Sequence, residues 1–377
     1  MKRALTAVAV MLAVGSVAGL VILWPGDTGS RVKSNLAVDA QKAEVVEVNE
    51  TTCPGLGEQL CQLVTARLTS GAGTGKRVQL QLSAIRSLDP DLDPGDEIRV
   101  TKAPEPPPGQ APIAGPGYAF YDFQRGSPML VLALLFAAIV LVFGRLRGAL
   151  SLAGLGLSLA LVLLFVVPAI LDGKPPLAVA IVGSLAVALV TIPLAHGGGP
   201  KTLAAVLGTA ASLLLTALLA LIFTKATHLT GFSNEQAASL DLAGANISLE
   251  GLVLAGMVIG ALGVLDDVTV SQASTVMALR SSNPTLRFGQ LFALAQRVGR
   301  DHVSATVNTL VLAYVGAALP ILLIFSSSDL GFGEALTTEV VAIQVVGTLV
   351  GSIGLIAAVP LTTALAALLA PAESTNA

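Results

Sequence analysis

Eight apolar runs, each about long enough to cross a bilayer, dictate the form of this chain. One extends from Ala4 to Trp24, and the others lie near 128–144, 149–171, 177–195, 203–224, 249–279, 303–325 and 341–369. A helix needs about 20 apolar residues to span the hydrocarbon core. Within that core only helices and closed barrels satisfy every backbone N–H and C=O. Only 12% of the 377 residues are charged, against about 25% in a soluble domain. The expectation is a polytopic membrane protein, with the lipid bilayer as its first partner. The net charge of -3 and the lack of a Lys/Arg tract argue against nucleic acid as a partner.

The chain divides into three parts: 1–24, 25–117 and 118–377. Lys2 and Arg3 precede the first apolar run, which reads as an uncleaved signal anchor, with cleavage between Pro25 and Ser30 as the alternative. From Pro25 onward the chain is polar. AEVVEVNE (43–50), LVTARLTS (63–70) and RVQLQLSA (77–84) alternate as strands do, and DPGDEIRVTK (93–102) reads as a turn and a strand. A small OB-like β-barrel is expected here, followed by a Pro-rich linker over 103–116. YAFYDFQRG (118–126) resembles an interfacial aromatic belt ahead of the next span. The fold class is therefore membrane all-α, with about eight transmembrane helices and one extracytoplasmic β domain after the first.

Orientation follows from the loops. Lys2/Arg3, Arg145/Arg147, Lys201 and the group Arg280, Arg287, Arg297 and Arg300 fall on the opposite side from Lys174 and Lys225. The denser cationic side is expected in the cytoplasm, with both termini. Cys53 and Cys61 then share the oxidising compartment and are disulfide candidates; two buried thiols are the alternative.

The strongest functional signal is Asp266-Asp267, at the end of GLVLAGMVIGALGVL (251–265) and before VTVSQASTVMAL. Carboxylates in hydrocarbon are costly and mark bundle interiors or ion paths, which makes the pair a proton or cation relay candidate. The bland reading ends the membrane at Leu265 and leaves the pair in headgroup water. Gly256, Gly260 and Gly263 form a small-residue face suited to helix packing. FGQLFALAQRVGRDH (288–302) reads as an amphipathic interfacial helix with Phe288, Leu291, Phe292 and Ala295 on one side. In the next span Thr306, Asn308 and Thr309 could hydrogen-bond a carboxylate, or Thr306 and Thr309 could bond back to their own helix.

Other motifs fail. SGAGTGKR (70–77) has Ser70 and Arg77 where a phosphate loop needs Gly and Ser/Thr, so it reads as a hairpin turn. His196-Gly197-Gly198-Gly199 lacks a nucleophile elbow to serve and reads as a cytoplasmic turn. His228 and His302 are isolated, so no metal site, cofactor or enzyme activity is expected.

GALGVLDDVTVSQASTVMALR (260–280), VGRDHVSATVNTLVLAYVGAALP (298–320) and VGSIGLIAAVPLTTALAA (350–367) together resemble the YibE/F family of bacterial integral membrane proteins, from about residue 118 to the end. That resemblance implies location and topology, and hardly any activity. The small-G-x-L-x-x-D-D pattern followed by a Thr-rich span is also similar to the core of resistance-nodulation-division transporters and the SecD/SecF export proteins. There the acids carry protons, which would land on Asp266 and Asp267 with Thr306 and Thr309 as polar partners. Six spans make one transporter half, so a homodimer or a paired membrane subunit is implied. No Lys or Arg lies inside a span to pair with the acids, and DGKPP (172–176) replaces the large periplasmic insertion, both departures from that pattern. Two functions follow: a proton-coupled transporter or export-energy module, or a membrane scaffold whose β domain binds a partner.

Overall fold

The computed structural model describes residues 2–26, 39–52, 60–71, 73–83, 90–102, 117–233, 247–327 and 331–370. Two compact units form, one from residues 36–139 and the other from 1–35 together with 140–377.

The first unit contains a closed five-stranded barrel of β1 (Ala40–Thr52), β2 (Leu60–Leu68), β3 (Arg77–Ser83), β4 (Glu97–Lys102) and β5 (Tyr118–Phe123). The strand order is β1-β2-β3-β5-β4, with β4 returning to β1; β3 and β5 pair in parallel and the other pairs are antiparallel. Alternation drives the closure, since period-two sequences turn one face inward. Val64, Ala66 and Leu68 point in from β2, Leu80 and Leu82 from β3, and Ile98 and Val100 from β4. Register shifts at Val45/Glu47 and Arg99/Val100 bend the strands, as bulges do. SGAGTGKR holds the β2–β3 hairpin turn. Gly71 and Gly75 take φ of 84° and 86°, and Gly75 N–H donates to the Leu68 carbonyl at 2.8 Å.

The fifth strand corrects the sequence reading. Tyr118–Phe123, directly ahead of the helix that opens at Gly126, is not a loose tail but a strand that closes the barrel, with Tyr118, Phe120 and Phe123 packed on the core. Aromatic residues suit a half-buried strand as well as a membrane interface, so composition alone could not separate the two.

The helices are α1 (Lys2–Ile22), α2 (Gly126–Leu161), α3 (Val167–Leu171), α4 (Pro176–His196), α5 (Pro200–Ala226), α6 (Leu249–Ser282), α7 (Phe288–Ser326), α8 (Phe332–Thr337) and α9 (Glu339–Leu369). Among the described residues, seven helical stretches are long and apolar enough to cross a membrane. The eight expected runs become seven stretches because 128–144 and 149–171 lie in one stretch of 46 residues, Gly126–Leu171. That stretch is broken at Arg145, whose φ of 49° and ψ of -129° are not helical. The chain turns sharply there, since a Cβ on Gly148 would collide with the Val140 carbonyl. Between α2 and α3, Val162–Val166 forms a π-turn in which the Val167 N–H bonds Val162 O. Pro168 follows and has no N–H to continue the regular ladder.

Pro176 and Pro200 open α4 and α5 at positions where a missing N–H costs nothing. The turn between these helices uses Gly197 (φ 74°) and Gly199 (φ 135°). Ser248 caps α6 by accepting from Gly251 N–H at 3.0 Å. At the start of α9, the Glu339 carboxylate gathers the turn after α5, accepting from the Thr230 and Gly231 N–H groups and the Thr230 hydroxyl. Helix α6 packs against α4, α5, α7 and α9. The tightest approaches seat threonines on glycines: Thr362 of α9 on Gly208 of α5, and Thr216 of α5 on Gly354 of α9.

Residues 288–302 are not a separate interfacial helix but the first part of α7. Leu291 and Ala295 face the bundle and are fully buried, while Phe288 stays 44% exposed and stacks on Phe292 at 6.1 Å.

Candidate functional site

Helix α6 passes Asp266 and Asp267 without a break. Adjacent residues on a helix project about 100° apart, and the two acids part accordingly: Asp266 is half-buried and Asp267 is exposed. Neither enters an ion pair among the described residues.

Asp266 faces a cavity of about 400 Å³ between α2, α4 and α6. The lining is mostly apolar, interrupted by Ser151, Ser158, Thr191, His196 and Asp266 itself. Ser158 and Thr191 donate to carbonyls of their own helices, Gly154 O and Val187 O, both at 2.9 Å, leaving hydroxyl lone pairs as acceptors. The Oδ1 atom of Asp266 is buried with no hydrogen-bond partner. A buried polar atom without a partner is uncommon and calls for an explanation such as a bound proton, ion or water. At the mouth of the cavity stands His196, exposed at the last position of α4, with Lys201, Arg147 and Asp267 in its electrostatic surroundings.

The threonines expected beside the acids bond back to their own helix. Thr306 donates to His302 O at 2.8 Å and Thr309 to Ala305 O at 3.0 Å, while Asn308 is exposed. None of the three lines the Asp266 cavity. The glycine face is open at two of its three positions: a Cβ on Gly256 or Gly263 would meet nothing within 4 Å, whereas one on Gly260 would press on the Tyr314 hydroxyl of α7 at 3.3 Å. Gly263 contributes to the wall of the Asp266 cavity instead.

One polar cluster was not singled out from the sequence. Just beyond Asp266 on α6, Thr269 shares a 2.6 Å hydrogen bond with Thr209 of α5. Gln272 donates to Ala295 O of α7 at 2.9 Å and to the Thr363 hydroxyl of α9 at 2.7 Å. A neutral amide in VTVSQASTVMAL, on an otherwise apolar helix, was the available signal. It ties α6, α7 and α9 together and satisfies its own donors, so it reads as a strut. Among the described residues, no group of three or more His, Cys, Asp or Glu is placed to hold a metal. Cys61 is buried at the start of β2, where its sulfur accepts from Gln81. Cys53 lies outside the described residues.

Seven long apolar stretches, with a carboxylate lining an interhelical cavity, are consistent with a multi-pass membrane protein. More particularly, the chain belongs to the family described as YibE/F-like protein, which it matches over residues 132–372. No curated protein and no solved structure matches it.

Proposed function

We propose that this protein is a proton-coupled membrane transporter or export-energy module in which Asp266 binds and releases the coupling proton. The observation that carries the reading is Asp266 itself: it lines a polar-spotted cavity between helices, and its enclosed Oδ1 has no hydrogen-bond partner. Intramembrane acids that face a cavity are a functional site by default. The resemblance of the small-G-x-L-x-x-D-D pattern to resistance-nodulation-division and SecD/SecF cores, read from the sequence alone, points the same way. Asp267, exposed on the next 100° of the helix, modulates the site through its charge.

The 46-residue stretch Gly126–Leu171 measures roughly 70 Å at about 1.5 Å per residue, twice what a bilayer core of about 30 Å requires. Read as two crossings joined at Arg145, it restores eight spans. Both termini are then cytoplasmic, in a bacterial cell membrane, and the OB-like barrel and a Cys53–Cys61 disulfide are outside. The apolar windows of α2 and α7 bury none of their residues within one chain, which suits a homodimer or a paired subunit. An impermeant thiol reagent should leave Ser282→Cys unlabelled in intact cells and label it in inverted vesicles.

Reconstituted vesicles test the function. Wild type should carry protons down an imposed pH gradient; Asp266→Asn should abolish the flux, and Asp267→Asn should reduce it. Vesicles that stay proton-tight under every gradient, with and without the native partner, would establish the scaffold reading in its place. The barrel, with a hydrophobic core of its own, would then be the partner-binding module.

A further inference from the structure

We infer that His196 is the proton-exchange group for Asp266, receiving protons from the water on the side of the α4–α5 turn and passing them through the shared cavity. The inference rests on Asp266 as the loading site and assigns its entrance.

Three observations carry it. His196 and Asp266 line the same cavity of about 400 Å³. They differ in access: the imidazole is exposed, whereas Asp266 is half-buried with Oδ1 fully enclosed. The hydroxyls of Ser151, Ser158 and Thr191 stand in the same walls. A space of this size has room for several waters, and these polar groups on its otherwise apolar walls supply the two to four partners a water needs. A buried carboxylate exchanges protons slowly when no titratable group stands between it and bulk water, and histidine is the side chain that changes charge between about pH 5 and pH 8.

The step balances simply. Neutral imidazole takes a proton from bulk water to become imidazolium. It then delivers that proton along the cavity to the Asp266 carboxylate, which becomes the acid as the ring returns to neutral. The charged groups around His196 are Lys201 of α5, Arg147 of α2 and Asp267 of α6. The glycines at 197–199 place it there: Gly197 at φ 74° ends α4 directly after the ring.

Infrared difference spectroscopy after a pH jump, on the full chain in lipid nanodiscs, tests this directly. The carboxyl band that disappears in Asp266→Asn reports protonation of Asp266. In His196→Gln that band should reach its wild-type amplitude, but about a hundredfold more slowly, the lower end of general acid–base assistance. Added imidazole should restore the rate in His196→Ala, and Lys201→Gln should leave it nearly unchanged. An unaltered rate in His196→Gln, or equal slowing in Lys201→Gln, would overturn the inference while leaving Asp266 as the site. Absence of any band sensitive to Asp266→Asn between about pH 5 and pH 8 would remove the Asp266 reading and this one with it.

Discussion

Among the described residues the barrel buries no polar side chain; its interior is Val45, Val64, Leu80, Ile98 and their apolar neighbours. Among the described residues its strands expose one large hydrophobic residue, Tyr121, which lies under the Arg99 guanidinium at 5.4 Å. The helical unit reverses both habits. It buries Ser184, Thr209, Thr216, Thr269, Gln272 and Thr363, while Val142 and Phe143 are 82% and 94% exposed. The barrel is sorted by water, which drives apolar area inward. Lipid tails are as apolar as leucine and give no such drive, so helices in lipid associate through small residues, close packing and hydrogen bonds. The seats of Thr362 on Gly208 and Thr216 on Gly354 have that character. Within one chain, burial therefore means different things, and mutations should separate the two regions.

The largest effect is expected in the barrel. Ile98 is fully buried, and Ile98→Ala should cost about 2–5 kcal/mol, the range for a truncated core aliphatic. The urea midpoint of the near-UV dichroism should fall, while far-UV helicity holds at the same urea concentration. Simultaneous loss of both signals would mean that the two units are not independent in stability, and would blunt the comparison.

In the bundle the sensitive positions are the glycines. A Cβ at Gly208 would collide with the Thr362 hydroxyl and stand 3.0 Å from its Cβ. Gly208→Ala should cost about 1–3 kcal/mol through overpacking, read as a lower aggregation temperature in detergent by size-exclusion chromatography. Gly256→Ala, where nothing lies within 4 Å, should be neutral or slightly stabilising through better helix propensity. Equal losses at both sites would show that Gly256 packs against something outside this chain.

How much of this was legible in the residues depends on which solvent does the sorting. β1 to β4 could be read because alternation reports an apolar interior facing water; β5 could not, since YAFYDF is aromatic at four of six positions and shows no clean apolar–polar alternation. The long helices could be read from length and apolarity alone, but their mutual faces could not. A helix apolar all round carries no stripe to say which side meets a neighbour. For that reason the Gly256/Gly260/Gly263 face was expected to pack, yet only Gly260 lies close to a neighbour, Tyr314, while Gly208, Gly299 and Gly354 make the closest approaches. Asp266 stood out because a charge in an apolar run is conspicuous. Gln272, more deeply buried but uncharged, passed unnoticed, and His196 was read only as part of a turn, since Asp266 in the same cavity is 70 residues away in sequence.

A reciprocal pair of hydroxyl exchanges sharpens the contrast at lower energy. Thr269→Val removes the 2.6 Å bond to Thr209 and should cost only about 0.6 kcal/mol, the average for interhelical hydrogen bonds in lipid. Val64→Thr adds a hydroxyl to an interior without polar side chains and should cost about 1–3 kcal/mol. Thermal or urea midpoints of each variant against wild type decide the order. A greater loss from Thr269→Val would mean that the bundle interior depends on polar contacts more than its lipid setting requires, and that Thr269 does more than fill space.

The smallest effect belongs to the barrel's outer edge. Asp122 on β5 accepts from the Arg125 guanidinium at 2.7 Å and from the Phe123 N–H at 2.8 Å. The Arg125 hydrogen bond foremost, and then the Phe123 N–H, hold its carboxyl below the usual range. A group depressed in the folded state contributes stability above its unfolded pKa, about 4 for a carboxylate. That contribution is lost as pH falls through the lower folded value. Both partners are largely in water, with side-chain exposures of 58% for Arg125 and 46% for Asp122, so solvent screens the pair. Asp122→Asn should therefore lower the barrel's urea midpoint slightly near neutral pH, and the difference should vanish below the folded pKa. Two of the three tyrosines, Tyr118 and Tyr121, flank this site on β5 and report it in the near-UV. A gap between wild type and variant that widens toward acid would reverse the sign, and would mean that Asp122 is held in the barrel as the neutral acid rather than the carboxylate.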